Sequence, residues 1–289
     1  MHRLGASHAG GSMLDGNWRR WCLQLLAAAA LAGNPLPVAA EDGQPAAQNA
    51  SPFLVRGEIA LSSLQALGDG HLRKMGDALQ MLAETPEARS ASWERIRPLL
   101  ETLAERNVDA LVWFARPDGS YRAVGGGKEP GNLASRPYFP TLLQGKPVLG
   151  ALVVSKATGK SSAIVASPIR GADGRVVGVL GSSIYLDRLS ARLKQEMGLG
   201  SGEIFYSFDK APIIALNWDP ALILLDPLKL EPAVTRAFEE MLGRTEGVVR
   251  YEFRDTVRTV LYRRSPVTGW WYAFGVLGEP EKKAAPAPR

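Results

Sequence analysis

The first regular pattern in the chain is an apolar stripe at helical spacing in residues 53–106. Leucine, isoleucine and methionine recur there at intervals of three to five residues, which predicts a helix with one apolar face. The stripe consists of Ile59, Leu61, Leu64, Leu67, Leu72, Met75, Leu79 and Leu82. Thr85-Pro86-Glu87 interrupts the pattern, and Ser92 is a suitable N-cap for a second helix that ends near Arg106. We therefore expect a long helix and a shorter one ahead of any strand.

From residue 110 the spacing of apolar residues becomes typical of strands. Residues 111–115 and 120–124 are two short β runs on either side of the turn Pro117-Asp118-Gly119, which predicts a hairpin. A short helical stretch and two further β runs follow, before a strongly apolar strand at 176–184. A helix over residues 186–197 closes this first unit.

A second unit repeats the same order on a smaller scale. Its predicted elements are strands at 203–208 and 212–216, a helix at 232–242, and strands at 248–253, 257–263 and 270–276. Each unit therefore consists of a hairpin, a connection that contains a helix, and three antiparallel strands. Strands with helices grouped between them indicate an α+β fold rather than a parallel doubly wound sheet.

Composition divides the chain into six segments. We expect a signal peptide over residues 1–40, a disordered leader over 41–52, the N-terminal helices over 53–106, a first module over 107–198, a second, smaller module over 199–277 and a disordered tail over 278–289. The leader is rich in alanine, glutamine and proline, and the tail is of low complexity.

The first forty residues have the features of a secretion signal. Trp18-Arg19-Arg20-Trp21 is cationic, and the apolar stretch from Cys22 to Ala32 is short for a membrane span. Val38-Ala39-Ala40 supplies small residues, so we expect cleavage after Ala40. The predicted location is periplasmic or secreted, with an uncleaved membrane anchor as the alternative.

Composition argues against several kinds of chemistry. The sequence holds one cysteine and three histidines, and removal of the signal peptide leaves only His71. Thiol chemistry and nucleophiles activated by histidine are thereby disfavoured, and no ligand cluster suggests a metal or a cofactor. The net charge of +5 is not concentrated in a basic tract, so nucleic acid is not an expected partner. We expect no enzymatic activity, although a hydrolase that uses a carboxylate pair stays open.

Ligand capture suits the segment that begins at Ser135. Arg136 offers a rigid fork of donors for a carboxylate, and Tyr138 and Phe139 can form an apolar wall with one hydroxyl donor. The alternative is that Phe139 belongs to the core and Arg136 binds a loop carbonyl. The residues alone do not decide between the two.

A series of short motifs resembles the Cache family, the extracytoplasmic PAS-like sensor domains of bacterial chemoreceptors and sensor kinases. The motifs, in order, are Pro117-Asp118-Gly119, Ser135-Arg136-Pro137-Tyr138-Phe139, Gly145-Lys146-Pro147, Val154-Ser155-Lys156-Ala157-Thr158-Gly159-Lys160, Pro168-Ile169 and the stretch from Asp173 to Gly181. The match is strongest over residues 110–193. The long helix before it and the smaller unit after it resemble the double-Cache arrangement, which implies two PAS-like modules, each with an antiparallel sheet.

The resemblance implies a ligand site in the first module. Family members hold a small ligand, often an amino acid or a carboxylate, with an arginine and neighbouring aromatics, here Arg136, Tyr138 and Phe139. Tyr121 is expected to face the same pocket, and Lys156 is a second candidate cation.

Two positions depart from the pattern of family members that bind amino acids. Those members have a tyrosine where this chain has Val153, and an aspartate for the ligand's ammonium group where it has Ser183. We therefore expect an organic acid or a neutral polar solute rather than an amino acid, with Ser183 lining the pocket.

Output requires a partner in this interpretation. Cache sensors usually continue into a membrane helix and a signalling domain, whereas this sequence ends in a polar tail. We expect a membrane-bound sensor or receptor as partner, and a homodimer through the helix at residues 53–83. Ordering of the glycine-rich loop, residues 125–131, would alter the partner-facing surface. An adaptor that binds no small molecule is the alternative.

Overall fold

The computed structural model describes residues 52–107, 109–125, 131–156 and 158–279. The predicted signal peptide, almost all of the leader and most of the predicted tail lie outside the described residues. Within the part described, no helix has both the length and the apolar character needed to cross a membrane.

In the described part of the chain, six α-helices and ten strands follow one another in the order that the sequence predicts, with one short extra helix. The helices are α1 (Pro52–Ala83), α2 (Pro86–Arg89), α3 (Trp93–Glu105), α4 (Phe139–Leu143), α5 (Leu186–Glu196) and α6 (Pro232–Leu242). The strands are β1 (Ala110–Ala115), β2 (Tyr121–Ala123), β3 (Val148–Val154), β4 (Ser161–Arg170), β5 (Val176–Tyr185), β6 (Glu203–Phe208), β7 (Ile214–Asn217), β8 (Glu246–Phe253), β9 (Thr256–Arg264) and β10 (Trp271–Gly278). The unpredicted element is α2, which Thr85 caps by accepting a hydrogen bond from the Ala88 amide.

The strands form two antiparallel sheets with the same connectivity. The first has the order β2-β1-β5-β4-β3 and the second the order β7-β6-β10-β9-β8. In each, an N-terminal hairpin lies beside the last strand of its unit, and a second hairpin forms the other edge. The α+β prediction, with a long helix ahead of two antiparallel modules, is confirmed.

Helix α1 covers one face of both sheets. The buried members of its apolar stripe include Leu61, Leu64, Leu72 and Leu79, none more than 1% exposed. Its glycines approach the sheets closely: a methyl group on Gly68 would lie 2.7 Å from the Tyr272 ring of β10. The glycines that weaken the helix in isolation therefore suit its packing.

The opposite face of each sheet holds an apolar cluster within its own module. In the first module this cluster includes Trp113, Tyr121, Tyr138 and Ile164. In the second it is rich in aromatic residues from β6, β8, β9 and α6. Each sheet is thus buried on both sides, which explains why its central strands are nearly continuous in apolar residues.

A buried carboxylate ties α1 to the second sheet. Asp69 is 6% exposed and accepts hydrogen bonds from the hydroxyls of Ser265 at 2.6 Å, Tyr272 at 2.9 Å and Thr268 at 3.2 Å. Ser265 and Thr268 belong to the turn between β9 and β10. Burial, reinforced by the negative charge of Asp69, raises the pKa of Tyr272 well above its ordinary value, so its hydroxyl stays a donor. The bonds fix α1 along the sheet.

Replacing Asp69 with alanine should lower the free energy of unfolding by about 2–3 kcal/mol, because two buried hydroxyls and the half-buried hydroxyl of Thr268 lose their charged acceptor. Chemical denaturation followed by circular dichroism measures this difference. Asp77→Ala is the matched control, since Asp77 is an exposed residue of the same helix, and it should change stability by less than about 0.5 kcal/mol. Equal denaturation midpoints for the two variants would contradict the role given to Asp69.

Candidate functional site

A covering segment, residues 131–138, lies over the open face of the first sheet. The start of this segment is bonded to the β1–β2 turn. The backbone amide of Leu133 donates to the carbonyl of Gly119 at 2.8 Å, and the side-chain amide of Asn132 donates to the backbone carbonyl of Asp118 at 2.8 Å. Gly119 has a φ of +84°, and a methyl group there would lie 2.2 Å from the Asn132 side chain. The Pro-Asp-Gly motif therefore allows this segment to dock against the hairpin.

Arg136 joins the covering segment to the end of β3. Its Nη2 donates to the carbonyl oxygen of Val154 at 2.7 Å. Its Nε is buried and has no hydrogen-bond partner among the described residues. One end of the guanidinium is thus held by the backbone while Nε remains available to an acceptor. The alternative interpretation of the sequence is that Arg136 binds a loop carbonyl. It accounts for the hydrogen bond to Val154 at the end of β3, but not for the unpartnered Nε.

Lys156 holds the same segment from the turn after β3. Its ammonium group donates to the carbonyl of Asn132 at 2.8 Å and to the hydroxyl of Ser135 at 3.2 Å. The side chain is exposed, and its donors point to the covering segment. Lys156 therefore positions that segment and adds a second positive charge to the site.

A narrow cavity of about 20 Å³ lies between the covering segment and the sheet. Its lining consists of Leu111, Trp113, Tyr121, Leu133, Arg136, Tyr138, Val153, Ser155, Lys156, Ile164 and Ser183. Five of the six residues that the sequence nominates for the site meet here. The sixth, Phe139, is 1% exposed and packs in the adjoining core, where it anchors α4.

Two tyrosines, Tyr121 and Tyr138, line the same cavity as Arg136. Burial raises the pKa of Tyr138 to about 12, even though the Arg136 charge opposes the shift. Burial also raises the pKa of Tyr121, again opposed by Arg136. Both hydroxyls therefore stay protonated at neutral pH and can donate hydrogen bonds to an anion beside Arg136.

Trp113 forms the floor of the cavity. The sequence patterns do not predict it as a site residue. Its indole Nε1 donates to the hydroxyl of Ser183 at 3.2 Å, and its ring meets Tyr121 edge to face at 6.2 Å. The ring lies across Gly181, which pairs with Trp113 in the β1–β5 register. A glycine inside an apolar strand is the signal that could have revealed this close approach.

The cavity offers positive charge and hydroxyl donors above an apolar floor. Among the described residues, its lining contains no carboxylate. Leu111, Leu133, Val153 and Ile164 supply the apolar surface. Such a site can bind a carboxylate with a short apolar tail, but it provides no charged partner for an ammonium group.

Comparison by sequence returns nothing: no family model matches the chain, and no curated protein does. Comparison by structure returns many sensor domains. The ligand-binding domain of a Campylobacter jejuni chemoreceptor in complex with 4-methylisoleucine is similar at 15% identity and a TM-score of 0.60, over 84% of this chain and 100% of that one.

Two further solved structures are similar over most of their lengths. The amino acid chemoreceptor PctB of Pseudomonas aeruginosa, in complex with L-arginine, has a ligand-binding domain with 21% identity and a TM-score of 0.58, over 78% of this chain and 94% of that one. The sensor domain of the V. cholerae histidine kinase DctB has 15% identity and a TM-score of 0.59, over 80% of this chain and 100% of that one.

These neighbours define the class of fold. They are ligand-binding sensor domains of chemoreceptors and histidine kinases, so the Cache/PAS-like fold that the sequence resemblance implied is confirmed. At such low identities the likeness establishes the fold alone. The ligand has to be argued from the side chains of this chain.

Gly181→Ala should lower the free energy of unfolding by about 1–3 kcal/mol, because the new methyl group would lie 2.2 Å from the Trp113 ring. Gly70→Ala is the matched control: a methyl group there meets nothing within 4 Å, and alanine should stabilise α1 by about 0.5–1 kcal/mol. Urea denaturation of both variants measures the effects. Shifts of the same sign would contradict the packing described for Trp113.

Proposed function

We propose that this protein is a periplasmic or secreted sensor that binds a small organic acid in the cavity of its first module and signals through a partner. The observation that carries the proposal is the buried, unpartnered Nε of Arg136 beside two protonated tyrosine hydroxyls. The neighbours with this fold are named as ligand-binding or sensor domains, which supports binding rather than catalysis.

The side chains favour a carboxylate without an ammonium group. Neighbours with bound amino acids share the fold, yet the described lining of this cavity has no acidic residue to pair with an ammonium. The two nominated cations, Arg136 and Lys156, would both repel one. Burying an unpaired ammonium costs several kcal/mol, which a single small ligand cannot offset easily.

The size of the cavity favours a short ligand. A volume of about 20 Å³ holds roughly one water molecule. A two- or three-carbon acid therefore enters only as the covering segment moves outward. The hydrogen bonds of Arg136 and Lys156 join this segment to the end of β3 and the turn after it, and an anion that competes for these donors loosens them. Most of the glycine-rich loop that precedes this segment lies outside the described residues.

Helix α1 is the proposed route to a partner or to a second copy of the chain. It contacts both sheets, and it carries exposed apolar side chains at Ile59 and Met81, which are 65% and 72% exposed. A membrane-bound receptor or a homodimer could pack on that face. Its opposite face already covers the two sheets.

The two alternatives have less support. A hydrolase needs a pair of carboxylates beside its substrate, and the described lining around Arg136 provides none. His71, the one histidine among the described residues, lies 3.2 Å from Glu196 and links α1 to α5. An adaptor without a ligand would explain the small cavity, but not the unpartnered donor of Arg136.

Propionate and L-alanine form a matched pair of ligands because they differ only by the ammonium group. Propionate should stabilise the purified protein, by about 2.7 kcal/mol at a hundred times its dissociation constant, whereas alanine should have little effect. Arg136→Gln should weaken propionate binding at least tenfold, because a charged hydrogen bond contributes about 1.5–3 kcal/mol. Thermal shift and calorimetry measure both effects.

Two variants sharpen this experiment. Arg170→Gln is the control, since Arg170 binds the carbonyls of Gly145 and Gly174 and does not line the cavity, and it should leave propionate binding unchanged. Ser183→Asp places a carboxylate in the lining and should transfer the preference to alanine. Tighter binding of alanine than of propionate by the wild type would overturn the preference for organic acids. No stabilisation by any acid tested would favour the adaptor.

A further inference from the structure

The second module contains a buried arginine that has no acidic partner. Arg258 of β9 is 6% exposed, and its guanidinium lies over the Phe253 ring at 4.6 Å from the ring centroid. Its Nε is buried and has no hydrogen-bond partner among the described residues. None of the described carboxylates forms an ion pair with it, whereas the neighbouring Arg254 is paired with Asp219 at 3.3 Å.

Two neutral tyrosines lie near Arg258, and the Arg254 guanidinium stacks on the same Phe253 ring at 4.9 Å from its centroid. Burial raises the pKa of Tyr251, while the charge and the hydrogen-bonding of Arg258 oppose the shift. Burial raises the pKa of Tyr206 still further, and the two hydroxyls lie 3.2 Å apart. Both tyrosines are therefore uncharged at neutral pH. A guanidinium buried among neutral groups is unfavourable unless an anion joins it.

The arrangement repeats that of the first module. Arg136 and Arg258 are the two arginines in the described part of the chain whose Nε is buried without a partner. Each acts electrostatically on two buried tyrosines of its own module. The sheets have the same connectivity, so the two sites can be compared directly.

The two arginines also occupy the same end of their sheets. Arg136 binds Val154, the last residue of β3, next to the β3–β4 turn. Arg258 pairs in register with Tyr251, close to the β8–β9 turn. That turn consists of Arg254 and Asp255, both in the left-handed region, with φ of +50° and +55°. Left-handed backbone at both central residues is the ordinary geometry of a two-residue hairpin turn. The comparison of the two sites therefore rests on the end of the sheet at which each arginine lies.

We propose that the second module has its own anion site, in which Arg258 and the Tyr251 hydroxyl bind a small carboxylate at the β8–β9 end of the sheet. A planar carboxylate matches the fork of the guanidinium, and Phe253 supports the flat face of that fork. Because so little of Arg258 is exposed, the site suits formate or acetate rather than a larger acid. Arg254, which lies over the same Phe253 ring, adds positive charge nearby, and its ion pair with Asp219 partly offsets that charge.

The test uses acetate as the probe in an Arg136→Gln background, which removes the key cation of the first module. This choice keeps the second site distinguishable from the first, whatever the outcome there. Acetate should still bind the Arg136→Gln protein and raise its Tm, compared with sodium chloride at the same ionic strength. The double variant Arg136→Gln with Arg258→Met should bind acetate at least tenfold more weakly.

Two further measurements guard against misfolding. Without acetate, Arg258→Met should melt at or above the wild-type temperature, because methionine fills the space and removes an unpaired buried charge. Arg258→Lys keeps the charge but loses the fork, and should bind acetate more weakly than arginine does. Equal responses to acetate and chloride in the Arg136→Gln protein, or an acetate response that persists in the double variant, would overturn the proposal.

Discussion

The structure depends on one helix that has to cover two sheets. Each sheet is apolar on both faces, and one face of each lies against α1. The stripe along α1 covers the other face of both, because its 32 residues are long enough to pass along the two modules in turn. Gly68 allows this helix to approach β10, and a methyl group on Gly76 would lie 3.6 Å from Val165 of β4. Without α1, apolar faces of both sheets would meet water, so neither module is an independent unit of stability.

The same arrangement gives a physical route between the modules. Strand residues alternate between faces, so Ile164 lines the cavity while Val165, its neighbour, packs towards α1. If a ligand binds in the cavity as proposed, a displacement of β4 would reach the helix through this packing. The hydrogen bonds of Asp69 then transfer a movement of α1 to the β9–β10 turn of the second sheet.

Periodicity in the sequence was sufficient for the elements of this fold, because almost every helix and strand buries a face and so repeats at its own spacing. Periodicity could not predict the order of the strands in each sheet, because β1 pairs with β5 across about seventy residues and no local pattern indicates such a pairing. Helix α2 was missed because four residues are too short for a period. The candidate site came from the ordered motifs, which brought Arg136, Tyr138 and Tyr121 together.

Trp113 and Arg258 show why the remaining site residues were missed. The position of the Trp113 ring depends on the glycine opposite it, which only the register reveals. Arg258 lies between Val257 and Thr259, and an arginine beside a threonine at a strand start is ordinarily taken as solvent-facing. It points inward because it shares a face with Val260 and Tyr262, two positions that belong to the core of the second module.

The proposed ligand class depends less on the fold than on the absence of acidic residues from the described lining around Arg136. A carboxylate ligand gains from Arg136, Tyr121 and Tyr138 together, and the apolar floor accepts its tail. An amino acid would gain the same contacts and then lose the hydration of its ammonium group without compensation. Under the proposed function, one or two side chains decide the ligand class, and Ser183 and Val153 are the positions that the family resemblance indicates. The scaffold sets where a ligand is held, and the charge of a few residues sets which ligand it is.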